Sequence, residues 1–220
     1  MSYLVNLVIE GRPATVVGGG TIAARKIHDL LEARADVTVI SPVICPEIQA
    51  LAATARIHLR QRPYAAGDLR GASLVIAATD DEDLNAAISR EAQSLRVPVN
   101  VVDRPALCTF TLPAVVRRGD LTIAVSTAGQ CPALASVMRE ELTERYGDEY
   151  ADVVRVLGDV RRRLMAEGWS GSRIRESVDG LYRGGIAELI RKNDRLGLTA
   201  LFQAVLGTGF PLPPVTRVTR

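Results

Sequence analysis

The fold of this chain is decided by residues 14–26, which read Ala14-Thr15-Val16-Val17-Gly18-Gly19-Gly20-Thr21-Ile22-Ala23-Ala24-Arg25-Lys26. A run rich in β-branched residues ends in three glycines, and a helical pattern begins directly after them. Gly18 permits a tight turn out of the strand, Gly20 lets backbone approach a pyrophosphate, and the small Ala23 lets the helix pack closely on the strand. The order strand, glycines, helix predicts a dinucleotide site; the alternative is a glycine-rich turn that binds nothing.

Length and composition set the broad class. The chain has 220 residues, enough for one large or two small domains. It contains no apolar run of about 18 residues, so we expect no membrane span. No basic segment precedes an apolar core at the N-terminus, so we expect no secretory signal. The three cysteines are widely spaced and predict reduced thiols in a cytoplasmic protein, and a net charge of +2 argues against general nucleic-acid binding.

Residues 1–112 alternate strands and helices, which predicts a parallel sheet with helices on both faces. The pattern predicts strands at 37–40, 57–62, 73–79 and 97–103, and helices at 46–54 and 83–95. Ligands of such sheets bind beyond the carboxyl ends of the strands. The glycines, residues 79–81 and residues 100–103 all lie at such ends, so we expect them to meet at one crevice.

The pattern changes after Pro105. Residues 108–116 and 121–126 predict two strands joined by a turn at 117–120, and a helix follows Pro132. That helix carries an apolar stripe that includes Leu134, Val137, Met138 and Leu142. From Asp148 onward the chain is predicted to be helical: one apolar face runs from Val153 to Leu164, and further helices lie at 172–193 and 199–206, split by Gly197. Residues 211–220 predict a loose tail.

Asp103 is the candidate catalytic residue. It ends a predicted buried strand at the mouth of the crevice, where a carboxylate can take or give a proton beside a nicotinamide. The alternative is that it caps a turn. Asp80, Asp81 and Asp83 are expected to cap the next helix rather than to bind a metal.

His28 and His58 are the only histidines, so no histidine-rich metal site is expected.

Arg117 and Arg118 predict an exposed turn; the alternative is that they attract substrate carboxylates. The strand at 37–40 ends in Ser41, where an NAD-binding fingerprint usually has an acidic residue, which leaves NAD against NADP open.

These residues together resemble the precorrin-2 dehydrogenase/sirohydrochlorin ferrochelatase family, the dehydrogenase-chelatase module of siroheme synthase. The resemblance covers residues 1–145, and five motifs carry it: Val17-Gly18-Gly19-Gly20 with Ala23, Arg25 and Lys26; Ala77-Ala78-Thr79-Asp80-Asp81; Asn100-Val101-Val102-Asp103; Phe110-x-x-Pro113-Ala114; and Ala124-Val125-Ser126-Thr127.

The resemblance implies a Rossmann-type NAD-binding domain at 1–112, a small α+β dimerisation segment at 113–147 and a helical C-terminal domain at 148–220. It implies oxidation of the tetrapyrrole precorrin-2 to sirohydrochlorin by NAD in a homodimer, and many members also insert ferrous iron to give siroheme. In this family a serine after the second strand is usual, which favours NAD. A dehydrogenase without chelatase activity and a regulatory NAD(H)-sensing module are the alternatives.

The resemblance also implies a set of site residues. The catalytic aspartate falls on Asp103. The cofactor contacts fall on Gly18, Gly19, Gly20, Thr21, Ile22, Ser41, Pro42, Val43 and Thr79. Substrate contacts are expected at Asn100, Arg117, Arg118, Ser126 and Thr127. No protein metal ligand is expected, because the macrocycle itself would hold the iron.

Overall fold

The computed structural model describes residues 3–213, and the chain divides after Leu112 into two compact units. The elements of the first unit are β1 (Pro13–Val17), α1 (Thr21–Glu32), β2 (Asp36–Ile40), α2 (Pro46–Ala53), β3 (His58–Arg60), β4 (Leu74–Ala77), α3 (Glu82–Ser94), β5 (Val99–Val101) and a short 3₁₀ turn (Pro105–Leu107). Every strand and helix that the sequence predicts between residues 14 and 103 is present. The strands at 97–103 and 57–62 are shorter than expected, in the first case because Pro98 has no N–H to donate and Asp103 leaves the extended conformation.

The first unit is a parallel five-stranded sheet in the order β3-β2-β1-β4-β5. The strand order reverses between β1 and β4, which is the position at which doubly wound sheets bind dinucleotides. The strands β1, β2, β4 and β5 are largely buried, whereas the edge strand β3 exposes His58 and Arg60. One apolar cluster joins the sheet to α1 and α2 through residues such as Val16, Ile27 and Ile48, and a second joins it to α3 through Val75 and Ile88. The unit is therefore a three-layer α/β/α domain, as the sequence predicts.

The second unit begins with an antiparallel hairpin. Its elements are β6 (Ala114–Arg118), β7 (Leu121–Val125), α4 (Pro132–Arg145), α5 (Glu149–Ala166), α6 (Gly171–Arg183), α7 (Ile186–Lys192) and α8 (Arg195–Leu206). The last four helices share one core, which contains the predicted α5 face of Val153, Val156, Val160 and Leu164. In α4 only Ala135 is buried, so the predicted stripe of Leu134, Val137 and Met138 is 40–50% exposed.

Four predictions about the second half of the chain are wrong. Residues 108–113 form no strand, because Thr109 bonds the backbone of Val99 with its N–H and its hydroxyl and holds this segment against β5. Arg117 and Arg118 belong to β6, and the turn contains only residues 119 and 120.

The other two errors concern helix ends. The helix predicted at 172–193 breaks after Arg183, because Gly185 adopts a left-handed backbone with φ of +87°. Gly197 does not separate helices: its N–H donates to the Asp194 carboxylate at 2.8 Å in the first turn of α8. The part of the predicted tail beyond residue 213 lies outside the described residues.

Candidate functional site

The carboxyl ends of four neighbouring elements meet at one edge of the sheet. Val17 pairs with both Ile40 and Ala77, and Ala77 pairs with Val101. The ladder continues one residue further, since the N–H groups of Gly18, Ala78 and Val102 donate to the carbonyls of Ile40, Val17 and Ala77 at 2.8–3.0 Å. Adjacent strands lie about 5 Å apart, so the segments after β2, β1, β4 and β5 emerge side by side within about 15 Å. The strand ends that the sequence predicts to meet therefore do lie together at one edge of the sheet.

Gly18 is required by the protein's own backbone. Its φ is +129°, a backbone conformation that residues other than glycine rarely adopt. A Cβ at this position would lie 2.2 Å from the carbonyl oxygen of Ala78, the residue that follows β4. The glycine therefore permits the close approach of the first loop to the end of β4.

Gly19 fits closely against the segment that follows β2. A Cβ on Gly19 would lie 1.9 Å from the carbonyl oxygen of Val43, and the Gly19 carbonyl accepts from the Cys45 N–H at 2.7 Å. The buried hydroxyl of Ser41 donates to the same Val43 carbonyl at 2.7 Å. Ser41 thus fixes the shape of the segment 41–45 and places Pro42 and the 76% exposed Val43 at the rim of the crevice.

Gly20 is not required by packing within the chain. A Cβ there would meet nothing within 4 Å, and its φ of −82° suits any residue. Gly20 is the N-cap of α1, whose first N–H groups have no acceptor within the helix. Thr21 and Ile22 follow as exposed first-turn residues, whereas Ala23 is fully buried against the sheet. The open space over Gly20 and the positive end of the helix form a cradle for a phosphate.

Thr79 lies beyond β4 in a network of side-chain bonds. Its hydroxyl donates to Asn85 Oδ1 at 2.9 Å, and Asn85 Nδ2 donates back to the Thr79 carbonyl at 2.8 Å. Asn85 is buried, and no pattern in the sequence singled it out. Asp81 caps α3 by accepting from the Leu84 N–H at 3.0 Å, as predicted. The network leaves Thr79 partly exposed and holds it rigidly at the crevice.

Asp103 occupies an unusual backbone position at the end of β5. Its φ is +57°, and Asp and Asn tolerate this left-handed region better than most residues. Arg34, Ala55 and Arg96 share the conformation, but each directly follows a helix C-cap, where it is common. Asp103 follows a strand instead, and within residues 3–213 no hydrogen bond or ion pair engages its carboxylate. Asp103 thus lies in a turn, but its carboxylate makes no capping bond within residues 3–213.

Lys26 lies on α1 within the electrostatic reach of Asp103. Burial lowers the pKa of its ammonium from the ordinary value, and the carboxylates of Asp29 and Asp103 oppose that shift. Val102, the neighbour of Asp103, packs against the same apolar cluster as the buried α1 residue Ile27. Lys26 belongs to the first motif of the family resemblance, which implies no role for it.

Asn100 is engaged by the loop after β5. Its amide nitrogen donates to the Phe110 carbonyl at 3.1 Å, and the Cys108 thiol bonds the backbone N–H and carbonyl of Val101 at 3.2 Å. These contacts fold residues 108–110 over the end of the strand that carries Asp103. Asn100 thus supports the shape of the crevice, and a direct substrate contact by this residue stays a prediction.

The remaining predicted substrate residues belong to the second unit. Arg118 is 17% exposed in its side chain and donates to the carbonyls of Tyr146 and Thr143 at 2.9 and 3.1 Å, so it ties the hairpin to the end of α4. Arg117 is exposed. The hydroxyls of Ser126 and Thr127 accept from the backbone N–H groups of residues 128 and 131 and shape the loop before α4.

Both histidines lie at the surface beside carboxylates. His28 pairs with Glu47 at 2.7 Å and His58 with Asp36 at 3.0 Å, both at the surface. The three cysteines are free thiols. Over the described range, 3–213, no three potential metal ligands cluster, and no helix is long and apolar enough to cross a membrane.

The sheet order, the glycine loop and the open helix N-terminus define a nucleotide-binding domain of the Rossmann type. Comparison with protein families agrees. Residues 5–114 match a family described as "Putative NAD(P)-binding", and residues 118–145 match the family "Sirohaem biosynthesis protein central".

Relatives and solved structures extend this likeness. The siroheme synthase of Methylobacillus flagellatus is 37% identical over 90% of this chain, and that of Ectopseudomonas mendocina is 42% identical over 83%. The aligned parts are 42% and 39% of those relatives, so the chain spans about two fifths of their length. Among solved structures, "SirC, precorrin-2 dehydrogenase" matches 93% of this chain and 99% of its own at a TM-score of 0.74 and 25% identity.

The chain therefore belongs to the family described as "Putative NAD(P)-binding", and its match to the sirohaem-biosynthesis central family agrees with the resemblance that its motifs carry. Its cofactor is a nicotinamide dinucleotide.

Proposed function

We propose that this protein oxidises precorrin-2 to sirohydrochlorin with NAD as the hydride acceptor. The observation that supports this most directly is the Asp103 carboxylate, which makes no hydrogen bond or ion pair within residues 3–213 and stands in a left-handed turn two residues beyond β5. It lies on the β4–β5 side of the glycine loop, at the same sheet edge. The names of the similar proteins, siroheme synthase and precorrin-2 dehydrogenase, supply the substrate class.

In this proposal the dinucleotide crosses the crevice along the sheet edge. The N–H groups of Thr21 and Ile22, beside the open space at Gly20, would hold its pyrophosphate. Residues 41–43 would hold the adenosine half, and Thr79 would contact the nicotinamide half on the side of Asp103. The strand order supports this direction, since β2 and β5 lie on opposite sides of the point where the order reverses.

We infer NAD rather than NADP from the segment after β2. Residues 41–45 carry no positive charge, so a 2′-phosphate there would find no Arg or Lys within the segment. The two arginines at the end of β3, Arg60 and Arg62, are already paired with Asp68, at 3.4 and 2.6 Å. The exposed Val43 offers an apolar surface that suits an adenine ring.

The chemistry needs one base from the chain. The nicotinamide ring, when bound, supplies the acceptor for a hydride that leaves a substrate carbon. Asp103 takes the proton that leaves a second substrate position, so precorrin-2 and NAD⁺ give sirohydrochlorin, NADH and one proton. The carboxylate is exposed and makes no hydrogen bond or ion pair within residues 3–213, so it is free to accept that proton and to release it to water.

Substrate carboxylates would need cations and donors, and the second unit offers several. Arg117 is exposed on β6 and its guanidinium makes no hydrogen bond or ion pair among the described residues, and Ser126 and Thr127 shape the loop before α4. We propose these three as contacts for acidic side chains of the tetrapyrrole. We leave Arg118 out of this set, because its guanidinium already donates hydrogen bonds to two backbone carbonyls.

We propose further that the protein is a homodimer assembled through residues 113–147. The exposed apolar stripe of Leu134, Val137 and Met138 on α4 supports this, because a contiguous apolar helix face usually marks an interface. Iron insertion into sirohydrochlorin stays a prediction of the family resemblance, and an insertion assay with ferrous iron decides it.

The test is turnover. Purified protein incubated with precorrin-2 and NAD should produce the sirohydrochlorin spectrum together with an equal amount of NADH. A regulatory NAD(H)-sensing module would bind NADH but leave precorrin-2 unchanged, so binding without turnover would overturn the proposal.

A further inference from the structure

The N-terminal segment at residues 3–8 is apolar, exposed and outside the helices and strands of the described chain. Tyr3, Leu4, Val5, Leu7 and Val8 are 57–91% exposed. The apolar residues do not alternate with polar ones, a pattern typical of a strand that is covered on both faces. The segment carries no charge, and charge is the usual protection of an exposed strand against association.

The hairpin of the second unit has an open edge that such a strand could join. β6 pairs only with β7 among the described residues. The two-residue turn makes Arg118 and Leu121 a hydrogen-bonded pair, so Val116 and Ala114 also bond β7. The N–H and C=O groups of Val115 and Arg117 consequently point away from β7.

A groove of 440 Å³ lies between β6 and α4. Val115, Val116 and Arg117 of β6 line one side, and Arg139, Glu140 and Thr143 of α4 line the other. Backbone groups of β6 that do not bond β7 are what an added strand needs, and Val115 and Val116 supply apolar contacts among the charged side chains of the groove. A five-residue strand spans about 17 Å, and the six residues 3–8 span about 20 Å, so the lengths match.

We propose that residues 3–8 of one copy add as a third strand to the β6 edge in a second copy of this chain. The exchange is reciprocal, because a twofold dimer presents the same pair of surfaces on both subunits. A second copy is the favoured occupant because the segment stays exposed within the single chain. This inference deepens the proposed dimer and rests on it: the α4 stripe and the exchanged strand would form one continuous interface.

Cross-linking of two marked chains tests the exchange. Two differently tagged chains, one with Val5→Cys and one with Val115→Cys, are co-expressed in a Cys131→Ser background that removes the exposed native thiol. A short bismaleimide should join the two tags in one covalent product, and chains with only one of the new cysteines serve as controls. A chain that carries both new cysteines and cross-links only to itself would overturn the inference, as would the absence of both products.

A second measurement separates this inference from the dimer itself. Sedimentation of the Val5→Asp/Leu7→Asp variant should show a dimer dissociation constant at least tenfold higher than that of the unmodified protein. Leu196→Asp is the matched control, because Leu196 is 84% exposed on another element. An unmodified protein that is monomeric refutes the proposed dimer and the exchange together. A dimer that the Asp variant leaves unchanged refutes the exchange alone, and precorrin-2 turnover is measured independently of both.

Discussion

Substitutions at the three glycines separate a binding role from a folding role. In Gly20→Val the new side chain enters open space, since a Cβ there meets nothing within 4 Å and φ is −82°. Loss of the glycine reduces unfolded-chain entropy, worth about 0.4–1 kcal/mol in favour of folding, and an apolar N-cap costs about as much. We therefore expect the free energy of unfolding to change by less than about 1 kcal/mol.

Cofactor affinity should respond quite differently. The valine fills the space proposed for the pyrophosphate, so the NADH dissociation constant should rise at least about tenfold, or about 1.4 kcal/mol. NADH fluorescence titration measures the affinity, and denaturant unfolding measures the stability. Gly18→Ala is the control in the opposite sense, because its Cβ would lie 2.2 Å from the Ala78 carbonyl oxygen and should cost about 3 kcal/mol or more of stability. A folded Gly20→Val protein that binds NADH as tightly as the unmodified one would refute the site.

The remaining predictions concern the base, an ion pair and the dimer. Asp103→Asn should keep its fold and NADH affinity, because Asn suits the left-handed backbone, yet lose about 10²–10⁴ in precorrin-2 oxidation rate; Asp80→Asn at the same edge should keep its rate, and equal rates for both variants would reduce Asp103 to a structural residue. Arg62 donates to both carboxylate oxygens of Asp68 and lowers the pKa of that carboxyl to about 2. Asp68→Asn should therefore cost about 2 kcal/mol near neutral pH, and urea unfolding should show that loss vanish as pH falls from about 4 to about 2; a loss that does not depend on pH would contradict the ion-pair account. Light scattering at micromolar concentration should give twice the mass of 23.7 kDa, and Val137→Asp/Met138→Asp should give the monomer; a monomeric unmodified protein contradicts the dimer.

The order of strands, turns and helices along the sequence was enough to predict the first unit and the sheet edge at which its strand ends meet. The run from Val16 to Ala23 contains its own strand, turn and helix, and parallel topology brings the other strand ends to the same edge. Asp81 was predictable as a cap because the bond it makes spans only three residues. Features that depend on residues close together in the chain can thus be predicted from the sequence alone.

Features that depend on distant partners were not recoverable. Arg118 looks like an exposed turn residue in the sequence, and only the fold brings it to carbonyls 25 and 28 residues away. The role of Thr109 on β5 is likewise set by a partner ten residues distant, which overrode its strand-like pattern. The break before α7 depends on a single left-handed glycine within an otherwise helical pattern.

The central claim is that this chain transfers a hydride from precorrin-2 to NAD. The most direct measurement incubates the purified protein with precorrin-2 and either NAD or NADP, and follows the sirohydrochlorin and reduced-nicotinamide spectra together. We expect equal amounts of sirohydrochlorin and reduced nicotinamide, with NAD clearly preferred over NADP. NADH binding without any sirohydrochlorin formation would contradict it.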